Sequence, residues 1–193
     1  MDKTDPRVTR TRKLIEDAFR GVLQEKGFED LSVQDVADRA GINRVTFYSH
    51  FVDRYALLRH AVRKAFQAEV AARGLAEGPL SPESVRALFV AACDYVAGLH
   101  DHCRPPHDHL DWIVGEVVAE YSAGLFRQWS AARGRRAGRV KTTAEAAAAA
   151  GSSLYTLAAR WSREKRRGAA ETYVDRTLPI VTAVLGIGGR SPG

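Results

Sequence analysis

Apolar residues recur at three- and four-residue intervals along most of the chain, and no stretch alternates with a period of two. The first periodic segment, from about Arg7 to Lys26, places Leu14, Ile15, Ala18, Phe19, Val22 and Leu23 on one face. Gly27 ends it, and Phe28 and Leu31 turn back toward a core. From Leu31 to Phe51 the sequence LSVQDVADRAGINRVTFYSHF reads as two short helices joined by a tight turn. Ser32 and Asp35 form a capping box, which occupies N–H groups that a helix start leaves without partners. Val33, Val36, Ala37 and Ala40 follow at helical spacing, and Ala37 is small where two crossing helices approach closely. Gly41 suits the left-handed conformation that ends a helix, and Ile42 plugs the core beneath the turn. Asn43 caps the second helix, with Phe47 and Phe51 inward and Arg44, Val45, Thr46, Tyr48 and His50 outward.

Further helices are predicted over about 54–74, 82–99, 108–132, 143–166 and 169–185. Ser81-Pro82-Glu83 is a helix start with cap, proline and first-turn acid in order. Pro179 is expected to kink the last helix or to begin a new segment, and Arg133 to Lys141 reads as a basic loop. The expected fold class is all-α: a three-helix helix-turn-helix domain over residues 1–52, a connector helix over 53–78, and a larger helical domain over 79–193.

Composition changes this picture little. Apolar residues make up 45% of the 193, as in ordinary globular chains. No apolar run reaches the length of a membrane span, and MDKTDPRVTRTRK lacks the apolar core of a secretory signal, so a cytoplasmic protein without membrane partners is expected. Two cysteines, Cys93 and Cys103, make no disulfide framework. Charge is more informative. The net charge is +6, yet residues 1–54 hold ten basic and ten acidic residues. The surplus lies later, mainly in Arg127 to Lys141 and Arg160 to Arg167. Bulk charge therefore does not argue for nucleic-acid binding by the N-terminal segment; the placement of Arg7, Arg10, Arg12 and Lys13, and of Arg44, His50 and Arg54, does.

With these residues in place, Ser32 to Leu58 resembles the DNA-binding signature of the TetR/AcrR family of bacterial transcriptional regulators. The matching positions are S-V-x-D-V-A-x-x-A-G-I (Ser32 to Ile42), T-F-Y-x-H-F (Thr46 to Phe51), Asp53-Arg54 and Leu57-Leu58. The likeness covers about the first third of the chain. It implies that Tyr48 and His50 touch phosphates, with Arg54 near the DNA backbone where the family usually has lysine. It places Thr46 at the DNA surface and Gln34, Asn43, Arg44 and Val45 nearest the base edges. Val45 and Asn43 depart from the small residue and the serine common there. For the rest of the chain the resemblance implies a ligand-binding and dimerisation domain, whose effector pocket draws on Phe89, Tyr95, Trp112, Tyr121 and Trp129.

The last two helices carry small residues, Ala146 to Ser153, then Leu154, Leu157, Ala158 and Trp161, facing Tyr173, Leu178, Val181, Val184 and Leu185. Such a pair forms a four-helix bundle with its own copy; packing within one chain is the alternative. Between two helices, HDHCRPPHDH gathers four of the six histidines and one cysteine. His100, His102, Cys103, His107 and His109 are metal-ligand types, although no established ligand spacing matches and a polar interhelical loop, with Cys103 an incidental thiol, is the plainer reading of the pattern. No nucleophile–base pair or phosphate-binding glycine motif accompanies them. The sequence therefore reads as a non-enzymatic, ligand-responsive repressor that binds a palindromic double-stranded operator as a homodimer, is released by a small-molecule effector and needs no cofactor. A metal-responsive regulator, or a metalloenzyme built on the histidine loop, is the alternative.

Overall fold

The structure of the protein, a computed structural model, describes residues 6–102, 108–137 and 142–187, with the backbone alone at 108 and 132–137. Eight helices are described: α1 (Pro6–Lys26), α2 (Val33–Ala40), α3 (Arg44–His50), α4 (Arg54–Ala72), α5 (Pro82–His102), α6 (Asp108–Ala137), α7 (Ala144–Ser162) and α8 (Ala170–Val184). No strand occurs among the described residues, so the chain is all-α, as the periodicity requires. Two compact units divide it. The first comprises Met1–Val62 with Asp101–Ile113, and the second Arg63–His100 with Val114–Gly193. The division falls inside α4, α5 and α6.

In the first unit, α1 buries Ile15, Phe19, Val22 and Leu23. The α2 cap forms as the sequence predicts: the Asp35 N–H donates to Ser32 Oγ at 3.1 Å, and the Ser32 N–H donates to the Asp35 carboxylate at 2.9 Å. Gly41 takes φ 65°, which lets the Ile42 N–H return to the Ala37 carbonyl at 3.0 Å and close the turn. Asn43 then caps α3 by accepting from the Thr46 N–H at 2.7 Å. Phe47 is wholly buried and Phe51 nearly so. Each contributes about 1.5–3 kcal/mol of burial, and together they fix which side of a seven-residue helix faces outward.

In the second unit, α6 and α7 meet at Gly151. A Cβ there would stand 2.3 Å from the Ala119 carbonyl oxygen, a backbone atom that cannot step aside. At Gly115, likewise, an added Cβ would meet the Tyr155 ring at 2.6 Å. Ala147, Ala150 and Gly151 are buried, so much of the small-residue stripe serves contact within one chain. The α7–α8 pair is tied by the Tyr173 hydroxyl, which donates to the Leu157 carbonyl at 3.1 Å. Arg86 of α5 pairs with Asp175 of α8 through two hydrogen bonds of 2.5 and 3.0 Å.

Several expected boundaries move. The α6 helix continues to Ala137 rather than stopping near Ala132, because Arg and Ala are strong helix formers and one interior glycine costs only about 1 kcal/mol. The α7 helix stops at Ser162, short of Arg166, where the apolar face ends and five charged residues follow. The α8 helix runs unbroken through Pro179; Thr177 and Thr182 on either side donate their hydroxyls to carbonyls one turn back, at 2.9 and 3.1 Å.

Two glycine substitutions separate these effects. Gly151→Ala is expected to destabilise the protein by about 1–3 kcal/mol through overpacking. Gly98→Ala, in α5 with open space beyond its Cα, is expected to be neutral or to stabilise by about 0.5–1 kcal/mol. Thermal unfolding of the two variants against wild type reads both signs.

Candidate nucleic-acid interface

The outward face of α3 is laid bare by the burial of Phe47 and Phe51 behind it. Val45 is 79% exposed, Tyr48 46% and, just past the helix, Val52 77%. Arg44 is also exposed, whereas Thr46 and His50 are half-buried. Arg44 leans back along the helix: its guanidinium donates to the Tyr48 hydroxyl at 3.3 Å and lies 5.9 Å from the ring centre. This i,i+4 contact keeps a mobile side chain close to the surface at small cost. Asn43 spends its carbonyl oxygen on the helix cap, which leaves its amide N–H groups for an outside acceptor. Gln34 is exposed on α2 and donates to Asp38 at 2.6 Å. The structure thus brings Asn43, Arg44, Val45, Thr46, Tyr48 and His50 onto one short helix and its cap.

His50 is held below its ordinary pKa, first by burial and then by the nearby positive charge of Arg12. At neutral pH it is therefore an uncharged hydrogen-bonding group rather than a cation. Arg12 itself folds onto the unit. Its guanidinium lies 4.8 Å from the centre of the Phe51 ring and donates to His60 Nδ1 at 3.4 Å, and His60 Nε2 is 2.7 Å from the buried Glu16 carboxylate. The sequence carried a signal for this cluster that the pattern reading passed over: Glu16 stands three and seven residues before Phe19 and Leu23, inside the apolar stripe of α1.

Arg54 corrects an expectation. The resemblance places it near the DNA backbone, but its fork points into the unit. One guanidinium nitrogen donates to the carbonyls of Phe28, Glu29 and Leu31 at 2.9, 3.0 and 2.6 Å. The other reaches the Tyr55 hydroxyl at 3.3 Å, and the group lies over the Phe28 and Tyr55 rings. Three carbonyls of the segment between α1 and α2 share the two N–H groups of that nitrogen, while the second nitrogen and the flat face of the group engage Tyr55 and Phe28, a combination that a lysine ammonium does not reproduce.

Charge in this unit is spent internally. Lys26 pairs with Asp35 at 2.5 Å and Arg39 with Glu25 at 2.6 Å. Hydrogen bonds from Lys26 and from Ser32 hold the Asp35 carboxyl well below the ordinary range, at about 2.

The expected effector residues do not stay together. Phe89, Tyr95, Tyr121 and Trp129 belong to the second unit, with the Phe66 ring 5.3 Å from Tyr95 and 5.6 Å from Tyr121. Phe89 and Trp129 are fully buried. Trp112 belongs to the first unit, is 60% exposed and carries Arg59 at 5.4 Å over its ring, because its position on α6 faces away from the packed side. An open groove of about 560 Å³ lies elsewhere, between Pro82 and the Asp175 to Gly186 side of α8.

Among the histidine-loop residues, Cys103 and His107 lie outside the described residues. His100 shares a hydrogen bond with Ser162 at 2.9 Å, His109 is 2.8 Å from the Glu29 carboxylate, and His102 is exposed. Among the described residues no group of three or more His, Cys, Asp or Glu is placed to hold a metal ion.

Comparison with known proteins places this geometry. Residues 15–61 match the sequence model described as bacterial regulatory proteins, tetR family. An uncharacterised HTH-type transcriptional regulator of Bacillus subtilis, YxbF, is 34% identical over 62 residues, which are 32% of this chain and 16% of that relative's length. A TetR-family regulator from Streptomyces coelicolor has the same fold over 96% of this chain and 99% of its own, with a TM-score of 0.62 and 20% identity. RolR, solved in complex with the ligand resorcinol, matches over 96% of both chains with a TM-score of 0.57 and 15% identity.

Two measurements test the interior of this unit. Arg54→Ala is expected to cost about 2 kcal/mol or more in denaturant unfolding, since charged hydrogen bonds are lost and carbonyls are left without partners, and Arg54→Lys is expected to restore only part of it. Because the folded Asp35 carboxyl sits at about 2, below its ordinary 3.8, its stabilisation is complete above pH 4 and is lost as pH falls from there toward 2. Asp35→Asn should flatten that part of the stability profile.

Proposed function

We propose that the chain is a DNA-binding transcriptional regulator of the TetR kind, whose sequence model its residues 15–61 match, and that it is an effector-released repressor that binds a palindromic operator as a homodimer. The observation that carries this is the outward face of α3, where Arg44, Val45 and Tyr48 stand clear of the core on a helix held by two buried phenylalanines. A helix presented in this way fits the major groove, with Arg44 able to leave Tyr48 for the paired acceptors of a guanine edge and Asn43 offering its amide to an adenine or a phosphate. Tyr48 and His50 serve as hydrogen-bonding groups to phosphates.

Dimerisation is supported by the free side of α7 and α8. Ile180 is 52% and Val184 37% exposed, and Ala148, Ala149, Ser152 and Thr156 of α7 are exposed without charge. Two copies joined through such a face would set recognition helices about 34–36 Å apart, one turn of the double helix. An effector taken up by the second unit then acts through its differential affinity for the DNA-fitting arrangement and an alternative one. The fold neighbour solved with resorcinol supports a small-molecule effector as a class. The protein acts by binding, not catalysis, and works in the cytoplasm; no helix among the described residues is long and apolar enough to cross a membrane.

Selection of bound genomic fragments, followed by gel-shift titration, tests the reading. Arg44→Ala is expected to lose about 1–3 kcal/mol of discrimination at one base position while retaining non-specific affinity. Tyr48→Phe is expected to weaken all sequences alike. Ile180→Glu together with Val184→Glu should yield monomers by sedimentation and an operator affinity lower by about 100-fold, as one half-site alone remains. Failure of the wild-type chain to select any DNA would refute the reading.

A further inference from the structure

The second unit buries three hydrogen-bond donors for which the described chain offers no acceptor, and two of them belong to α6. Ser122 is wholly buried, and its hydroxyl has no hydrogen-bond partner among the described residues. Trp129 is 1% exposed, and its indole Nε1 is equally without one. A buried polar group left unpaired costs about 1–3 kcal/mol and is uncommon in folded proteins.

The contrast within the unit is sharp. Its other buried hydroxyls are all engaged: Ser130 accepts from the Thr142 N–H at 2.9 Å, Ser162 donates to the Ala159 carbonyl at 2.8 Å, and Thr182 donates to the Leu178 carbonyl at 3.1 Å. The Trp161 indole is a third orphan, near the end of α7 with the Arg167 guanidinium 5.7 Å from its ring, and has no second orphan on its own helix. Ser122 and Trp129 stand seven residues apart, which puts them on the same side of α6 and about 10 Å apart along its axis.

The surroundings define what could answer them. The Trp129 ring packs on Phe126 at 6.0 Å, and beyond its nitrogen lies Gly78, where a Cβ would come no nearer than 4.0 Å. The segment carrying Gly78 is held by Gln128, which donates to the Ala76 carbonyl at 3.1 Å. No Asp, Glu, Lys or Arg of the second unit is buried among the described residues. A charged ligand enclosed here would lose its hydration without gaining a counter-charge, a cost well above that of a neutral one.

We propose that Ser122 and Trp129 are the polar anchors of the effector site. The effector is then a neutral, elongated molecule with an oxygen acceptor toward each end, lying along α6 and accepting from the Ser122 hydroxyl and the Trp129 indole N–H. This rests on the reading that the second unit takes up an effector, and it adds the chemical class. Enclosing an extended apolar body suits the aliphatic and aromatic side of α6.

The full chain with nitrogen-15 labelled tryptophan gives a direct readout, its three indole signals assigned by Trp112→Phe, Trp129→Phe and Trp161→Phe. The probes are 4,4′-dihydroxybiphenyl, 4,4′-dimethylbiphenyl, which lacks acceptors, and biphenyl-4,4′-dicarboxylate, which is charged. The diol is expected to move the Trp129 indole proton downfield and to raise the unfolding temperature. The other two should bind at least about tenfold more weakly, and Ser122→Ala and Trp129→Phe should each weaken the diol by about tenfold. Equal or tighter binding of the dicarboxylate, unchanged diol affinity in both variants, or a Trp129 signal that the diol leaves in place would overturn the proposal; the last would assign the donor to a buried water. Operator binding is read in parallel. A diol that binds as described without weakening the operator complex sinks the release mechanism and leaves the site standing. Operator release by the dicarboxylate with the Trp129 signal unmoved does the reverse.

Discussion

One guanidinium holds the front of the first unit in place. Arg54, the first residue of α4, gathers the carbonyls of Phe28, Glu29 and Leu31. That segment separates α1 from α2, so the entry of α2 is fixed from a point more than twenty residues further along. The caps at Ser32 and Asn43 then propagate this placement through the turn at Gly41 to α3. Without the clamp, the Glu29 and Leu31 carbonyls would turn to water at the edge of the core, the Phe28 carbonyl would keep only the Leu31 N–H, and the placement of α3 would soften. Arg54 is thus a positioning residue, and the surface it supports is carried by others.

The same economy runs through a unit whose first 54 residues have no net charge. Acids in this unit hold bases on its surface: Asp35 takes Lys26 and Glu25 takes Arg39. Surface pairs of this kind contribute little each, but they remove cations from the field that a polyanion sees. His50, neutral through burial and the neighbouring Arg12, adds none. Affinity on the proposed reading then comes from a few placed hydrogen bonds, with a shallower salt dependence than a basic patch would give.

In the second unit the governing constraint is close approach. Gly151 admits the α6 backbone to a distance that any side chain would forbid, and Ala147 and Ala150 lie buried beside it. The stripe of small residues therefore builds the chain's own core, and the opposite side of α7, with Ile180 and Val184 on α8, is left exposed. The interior so formed is apolar and aromatic apart from a handful of hydroxyls and indoles. Nearly all of its hydroxyls have partners, which is what makes the bare donors of Ser122 and Trp129 informative.

By itself the sequence determined what depends on neighbours within about one helical turn. The helical period, the capping box at Ser32 and Asp35, the turn at Gly41, the cap at Asn43 and the burial of Phe47 and Phe51 are all local, and all stand where the pattern placed them. The tertiary structure alone decided where long side chains go when several partners compete. Arg54 turned toward carbonyls 23 to 26 residues away, Trp112 turned outward, and His100 and His109 found Ser162 and Glu29 rather than each other. A periodic pattern says which face of a helix is apolar. It does not say which distant group will meet a flexible polar tip, because that depends on loop paths and helix crossings that only packing fixes.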